Sequence, residues 1–482
     1  MADDVTQPRI GVDEWVASVE GKRERYRGPV GWLRRGWDSS PPAARLLVFV
    51  VPAVIFPFVT SEGNLFRYGL ITLLYALLGL GLNVTVGFAG LLDLGYIAFF
   101  GFGAYTYGYV ASAHANHHWP AELAIPLAIA VAAAVGFIVG FPSRRLVGDY
   151  LAIVTLFFGQ AFVVFVNNAN RINFWPFNHT DLTGGANGLD NIDPLNVFGW
   201  KVNTTKEFYL FTLGAFLLVM IVLYFVSESR TGRAWKALRE DPLAAEVMSM
   251  PVNRLKLMAF VFGAGIAGFA GAIYGSVQTG AFPGDYDIGL LITIYAIVIL
   301  GGAGSLAGVI VGALIVNGVP ELLRDSNQAE WLFYTALVIL VLAKVRPWQK
   351  LVVVVGGTLG LGFALHAIAD AWFPRWTAGQ PNDGKLAHWV SHWMVLPSHA
   401  TQLANWAYVL TIALILVLTL LHGWWRTIVF IPTIYVAAFA WENLLVENTA
   451  GATRFLLLGA LLVVLMNVRP QGLFGTARVE IV

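Results

Sequence analysis

The chain has 482 residues, 57% of them hydrophobic and 12% charged, with a formal net charge of +1. That balance excludes a soluble multidomain protein and is the composition of a polytopic membrane protein, for which the bilayer is the main solvent. Zero cysteines exclude disulfides, thiolate chemistry and cysteine-ligated metals, and the near-zero charge gives no field that would draw nucleic acid.

Residues 1–43 are polar and carry Arg9, Lys22, Arg23, Arg25, Arg27, Arg34 and Arg35. They have no short apolar core followed by a small-residue cleavage site, so they read as a retained cytoplasmic tail. About 20 mostly apolar residues are needed to cross the hydrocarbon core. That ruler predicts an all-α bundle of about 14 spans, near 44–60, 66–84, 96–112, 120–141, 149–167, 207–227, 256–279, 287–301, 304–319, 330–344, 351–372, 405–421, 427–445 and 454–467. Two places interrupt the pattern, "NVTVGFAGLLDLG" (83–95) and Gly301-Gly302-Ala303-Gly304-Ser305. Both are candidates for broken or re-entrant helices, because irregular backbone at membrane depth survives only where protein or a water-filled cavity satisfies it. With the N-terminus inside, 22 of the 30 Lys and Arg residues fall on inner segments. The positive-inside rule then predicts both termini in the cytoplasm.

In chain order, the candidates for function begin inside the first interruption. Asn83, Gly87, Gly90, Asp93 and Gly95 share one broken segment, and an intramembrane acid is costly unless it faces a cavity or a partner. Asp93 has a plain alternative, which is to cap the helix that follows. The outer segment 168–206 contains "TDLTGGANGLDNIDP", where Gly184, Gly185 and Gly188 permit turns closed to other residues; a solvated loop is the bland reading. Charge then concentrates in 228–255. Residues 232–240 have helix-forming composition with Arg233, Lys236 and Glu240 at helical spacing, leaving Ala234, Trp235 and Leu238 to pack. Asp241 is a good N-cap and Pro242 suits the first helical position, so a second short helix over 242–249 is predicted. Two short helices in a basic loop make an exposed knob, which could rest on anionic lipid or receive a soluble partner. Gly301 to Ser305 read as a place of close helix contact.

Other chemistry is thinly represented. His114, His117, His118, His388, His392 and His399 lack tight ligand spacing, so no metal site is expected. Trp372, Trp376, Trp389, Trp393 and Trp406 read as an interfacial aromatic belt. There is no GxxxxGK[ST] or HExxH sequence, no catalytic residue is assigned, and charge is nearly absent from span centres, which argues against an ion-coupled secondary transporter.

"GRAWKALREDPLAAEVMSMPVNRLKLMAFVFGAGIAGFAGAIYG" (232–275) resembles the coupling loop and following helix of permease subunits of bacterial branched-chain amino acid ABC transporters, of the LivM type. "GLNVTVGFAGLLDLGYIAFFGFGAYTYGYV" (81–110), "GDYLAIVTLFFGQ" (148–160), "LTGGANGL" (182–189) and "LGGAGSLAGVIVGALIV" (300–316) resemble the same family in the same order, over roughly 60–345. The resemblance implies a non-catalytic permease in a bacterial cell membrane that imports Leu, Ile or Val. It implies two cytoplasmic ATPase subunits that carry ATP and Mg, a second homologous permease subunit and an extracytoplasmic binding protein; this chain itself would bind no cofactor. A sister subfamily of the same fold, carrying urea or short amides, is the alternative.

On that resemblance Gly232, Arg233, Trp235, Lys236, Arg239, Glu240, Asp241, Ala244, Ala245 and Glu246 form the ATPase-coupling surface. Thr183, Gly184, Gly185, Asn187 and Gly188 belong to the binding-protein docking turn. Asn83, Gly87, Gly90, Asp93, Gly95 and Gln160 belong to the translocation pathway. Gln160 stands where many relatives carry Glu, so no proton relay is assigned to it. Ser249 and Pro251 replace the Gly and Asn of the family's "MGIN". Both "PELLRDSNQAEWLFYTALVILVLAKVRPW" (320–348) and the segment ending in "RPQGLFG" (441–475) resemble the family's terminal hairpin. The chain is therefore read as a core over 44–348, with its coupling loop at 228–255, followed by an extension over 349–482 that arose by insertion or by duplication.

Overall fold

Apolar segments that leave water must close their backbone hydrogen bonds within themselves, and helices do this locally. The computed structural model describes residues 42–475 with short interruptions, the longest at 378–384 and 447–458. The expected tail lies outside the described residues apart from its last two positions, and so does most of the expected span 454–467. The chain divides into two units, 1–62 and 63–482. In the first, helix α1 (Pro42–Val59) is described, with Pro52 and Pro57 inside it.

The second unit begins with α2 (Glu62–Phe88), which carries π-turns at Leu65–Leu70 and Asn83–Phe88. Then follow α3 (Tyr96–Val110), α4 (Ala121–Ser143), α5 (Asp149–Asn168), α6 (Thr205–Glu228), α7 (Arg230–Glu240), α8 (Pro242–Val247) and α9 (Val252–Val277). Next come α10 (Ile288–Gly301), α11 (Leu306–Leu322), α12 (Ser326–Lys344), α13 (Trp348–Trp372), α14 (Lys385–Val390), α15 (Thr401–Leu420) and α16 (Gly423–Ala440). Eight two- to four-residue strands, β1–β8, pair into ribbons near the loops.

Thirteen of the fourteen expected segments are helical, yet among the described residues seven helices are long and apolar enough to cross a membrane. The pair Leu306–Leu322 and Asn327–Leu342, bent by 116°, makes up to eight. The length ruler counts apolar residues but not depth. Helix α3 starts after the broken segment and has 15 residues, and α10 has 14, so neither fills a full crossing.

Helices α2, α3 and α9 form the centre. Backbones approach closely there because small residues face one another: a Cβ on Gly271 would overlap the Phe100 carbonyl, and one on Gly103 would overlap Gly268. On the opposite side Gly268 meets Ala132, which brings α4 against α9. Lipid tails give apolar helices no reason to leave them, so dispersion between close backbones holds such contacts. Helices α10 and α11 form an antiparallel hairpin with Gly301 against Gly308 and Gly312 against the Ile297 carbonyl, as expected for close helix contact. The extension builds its own apolar cluster from Ala369, Met394, Ala407, Ala438 and Phe439 and reaches α12 through Trp441, whose ring stacks on Phe333 at 4.5 Å.

The α3–α9 packing predicts that Gly271→Leu destabilises the detergent-purified chain by about 1–3 kcal/mol, read as a lower thermal unfolding midpoint. Gly214→Leu, at a site with open space around it, should leave the midpoint near the parent value.

Candidate functional site

The charged segment folds as two capped helices. Ser229 Oγ accepts the Gly232 amide at 3.2 Å and starts α7, and Gly232 tolerates the turn because a Cβ there would strike the Val226 carbonyl. Asp241 Oδ1 accepts the amides of Leu243 at 2.8 Å and Ala244 at 3.1 Å, with Pro242 following, so the predicted cap is the one observed. Ser249 then adopts φ +61°, a left-handed value that glycine takes at least cost. Of the coupling residues, Arg233, Lys236, Glu240, Asp241, Ala244 and Glu246 are exposed and Arg239 is half-buried. Gly232, Trp235 and Ala245 are not at the surface. Trp235 is fully buried and its indole N–H donates to the Leu255 carbonyl at 2.9 Å, fixing α7 to the start of α9. Leu243, Val247 and Met248 are 74%, 84% and 74% exposed, giving the knob an apolar tip among its charges.

Arg239 ties this knob to both interruptions of the bundle. Its guanidinium donates to the Gly87 carbonyl at 2.5 Å and to the Ala303 carbonyl at 3.1 Å. Asn83 Oδ1 accepts the Gly304 amide at 2.8 Å and so joins the same two segments directly. Gly90, at φ +69°, leaves room for the Arg239 stem, which a Cβ would approach to 2.9 Å. Asn83, Gly87 and Gly90, three of the expected pathway residues, thus line the knob's anchor. A cleft of about 400 Å³ lies alongside, lined by Gly87, Phe88, Lys236, Ala237, Arg239, Glu240 and Gly304. The "RPQGLFG" segment closes the far side of the turn: Leu473 N–H donates to the Leu300 carbonyl at 3.0 Å and Phe474 N–H to the Gly301 carbonyl at 2.9 Å.

Deeper in the bundle Asp93 is fully buried. Its Oδ1 accepts the Gly95 amide at 3.1 Å in an Asx turn just ahead of α3, whose N-cap is Gly95 without a side-chain cap bond, so Asp93 does not itself cap the helix. The other oxygen, Oδ2, has no hydrogen-bond partner among the described residues. The surrounding backbone is fastened by Tyr295, whose hydroxyl donates to the Asp93 carbonyl at 2.7 Å, and by Thr155, whose Oγ1 accepts the Leu94 amide at 3.0 Å. Gly95 packs on the Thr155 carbonyl and on Gly159. Gln160 is exposed on the other face of α5 and does not join Asp93. Two acids distant in sequence meet between α12 and the π-turn Trp441–Val446 after α16: Glu330 is fully buried and Glu442 nearly so, and the Tyr334 hydroxyl donates to Glu442 at 2.9 Å. No local pattern links positions so distant in sequence.

At the opposite end, Asp181 Oδ1 accepts the amides of Thr183 and Gly184, and Thr183 Oγ1 donates to the Val166 carbonyl at 2.7 Å. This turn is thus a folded structure with Thr183, Gly185 and Gly188 buried, Gly184 half-buried and Asn187 exposed. Strand β5 (Leu189–Asp190) pairs with β8 (Gly280–Ala281), and His118 Nδ1 lies 2.6 Å from Asp193 Oδ2, which joins the β1–β2 hairpin (Ala111–His118) to this loop.

A glycine-packed helical bundle with two broken segments, a charged knob at one end and a folded loop at the other defines an integral membrane permease. The family model for the branched-chain amino acid transport system permease component matches residues 64–345, and the chain belongs to that family. It is 36% identical over 320 residues to the high-affinity branched-chain amino acid transport system permease protein LivM of Salmonella typhimurium, a match covering 62% of this chain and 72% of that one. The same figures hold for LivM of Escherichia coli. The permease protein LivH of Salmonella typhimurium is 26% identical over 286 residues, 56% of this chain and 88% of that one. No solved structure matches.

Removal of the Arg239 side chain strands two carbonyls, so Arg239→Ala should cost about 1.5–3 kcal/mol in thermal unfolding. Ser249→Gly should act in the opposite direction, stabilising by up to about 1 kcal/mol through relief of the left-handed backbone.

Proposed function

We propose that the chain is the membrane-spanning subunit of an ATP-driven importer of branched-chain amino acids. The observation that carries this reading is the anchored knob: an exposed helix pair whose one inward-facing cation grips both broken segments of the bundle. On this reading the knob faces the cytoplasm and receives an ATPase subunit, one of two that bind ATP and Mg. The apolar tip of Leu243, Val247 and Met248 enters a groove on that subunit, and Lys236, Glu240 and Glu246 form its polar rim.

Nucleotide-driven closure of the ATPases displaces the knob as a rigid body. Trp235 carries the displacement into α9, and Arg239 carries it to 83–95 and to the α10–α11 turn. The unpartnered oxygen of Asp93 lies within the first of these and becomes part of the pathway when the segment shifts. A second homologous permease completes the pore, and the exposed Asn187 side of the 181–193 turn meets an extracytoplasmic amino-acid-binding protein.

Affinity purification of the chain from its native membrane in mild detergent should recover ATP-binding subunits and a second permease, and the assembly in liposomes should import leucine in preference to urea. Leu243→Asp with Val247→Asp should abolish ATPase recovery while the chain still inserts and folds. Leucine uptake by the chain alone in ATP-free liposomes would contradict the proposal.

A further inference from the structure

The 3-10 turn Pro283–Tyr286 joins α9 to α10 at the end away from the knob and dips between helices. Tyr286 is fully buried there, with its ring 5.5 Å from Phe100, 5.7 Å from Tyr105 and 5.8 Å from Phe162. Beside it sits Asp285, half-buried, hydrogen-bonded to the Tyr274 hydroxyl and within electrostatic reach of Tyr75, Tyr105 and Tyr286. Four hydroxyls and one carboxylate therefore converge from α2, α3, α9 and the turn.

Two features of this cluster have no account within the fold. The hydroxyls of Tyr105 and Tyr286, residues 6% and 0% exposed, have no hydrogen-bond partner among the described residues. The ion pairs among the described residues also lie elsewhere, so no Lys, Arg or His neutralises Asp285, and Asp287 adds a second negative charge nearby. Burial raises the Asp285 carboxyl above its ordinary value, against the pull of hydrogen bonds from Phe282 and Tyr274. A carboxylate held in this way gains from a cation, and aromatic rings and hydroxyl oxygens around it favour one with several N–H donors.

We propose that Asp285, ringed by Tyr75, Tyr105, Tyr274 and Tyr286, binds the primary ammonium group of an aliphatic amino acid. The ammonium pairs with Asp285 and donates to the tyrosine hydroxyls that lack partners. The Phe100 and Phe162 rings behind them supply an apolar wall for the side chain. Half-exposed Tyr75, Tyr274 and Asp285 form the mouth, and the buried tyrosines form the floor. The identity of the amino acid rests on the importer reading; the ammonium chemistry can be tested on this chain by itself.

The test is ligand-dependent thermal stabilisation of the purified full-length chain with leucine, 3-methylbutylamine (leucine without its carboxylate), 4-methylpentanoate (leucine without its ammonium) and sodium chloride. Leucine and the amine are expected to raise the midpoint of the parent chain, and the acid is not. Asp285→Asn is expected to weaken both at least tenfold, with Tyr274→Phe acting in the same direction should the first variant fold poorly, and Asp287→Asn is expected to bind as the parent does. The proposal is overturned by equal stabilisation from 4-methylpentanoate, by sodium reproducing the effect, by unchanged affinity in Asp285→Asn, or by no response to either nitrogen ligand. Asp285-dependent binding of the amine by a chain whose assembled complex does not import leucine would uphold the site and reject the importer reading.

Discussion

Breaking a helix inside a membrane protein releases backbone carbonyls that have no water to turn to, and in this chain Arg239 answers two of them at once. Its contacts to Gly87 and Ala303 let the 83–95 segment and the α10–α11 turn remain irregular, because a cation satisfies what the missing helical turn would have satisfied. The same side chain belongs to the charged knob, so the satisfaction of the broken backbone and the attachment of the knob are one interaction. Lys and Arg near a span end are ordinarily solvated at the interface. Arg239 is instead committed inward, and this commitment gives the knob mechanical access to the interior.

The extension follows from the same arrangement. The family model ends at 345, yet the "RPQGLFG" segment some 125 positions later lies against Leu300 and Gly301, beside the carbonyl that Arg239 holds. Gly302 and Gly472 make this possible, with φ of +107° and +78° at the point of closest approach. Residues 349–446 thus lie in the chain between the core and a terminal segment that still reaches the α10–α11 turn. This stretch builds its own apolar cluster and docks on α12 through Trp441 and the Tyr334–Glu442 hydrogen bond, without entering the α2–α3–α9 centre.

Local chemistry was legible in the sequence and distant chemistry was not. Ser, Asp and Pro caps act within four residues, so the two helices of the knob could be placed almost to the residue from Asp241 and Pro242. The glycines of 83–95 correctly announced a broken helix. What fills the break is a guanidinium 152 positions later, so the anchor around Asn83, Gly87 and Gly90 cannot be read from that segment alone. The helical pattern leaves Trp235 to pack, whereas the resemblance puts it on the coupling surface; its partner, the Leu255 carbonyl, belongs to the next helix and is invisible to local spacing. The Glu330–Glu442 meeting was invisible for the same reason. A weaker signal lies at "FPGDYD" (282–287), where two acids sit in a turn between two apolar segments.

The account stands on the knob and the α10–α11 turn moving as one piece. The absence of cysteine allows that to be measured directly, by pulsed EPR distances in the assembled transporter between spin labels at Lys236→Cys and Ala307→Cys, and between Lys236→Cys and Tyr150→Cys, before and after trapping the ATPases closed. All three positions lie on the described surface. The account predicts an unchanged distance from the knob to the turn and a changed distance from the knob to the start of α5. A knob that separates from the turn on ATPase closure, with its distance to α5 held constant, would contradict it.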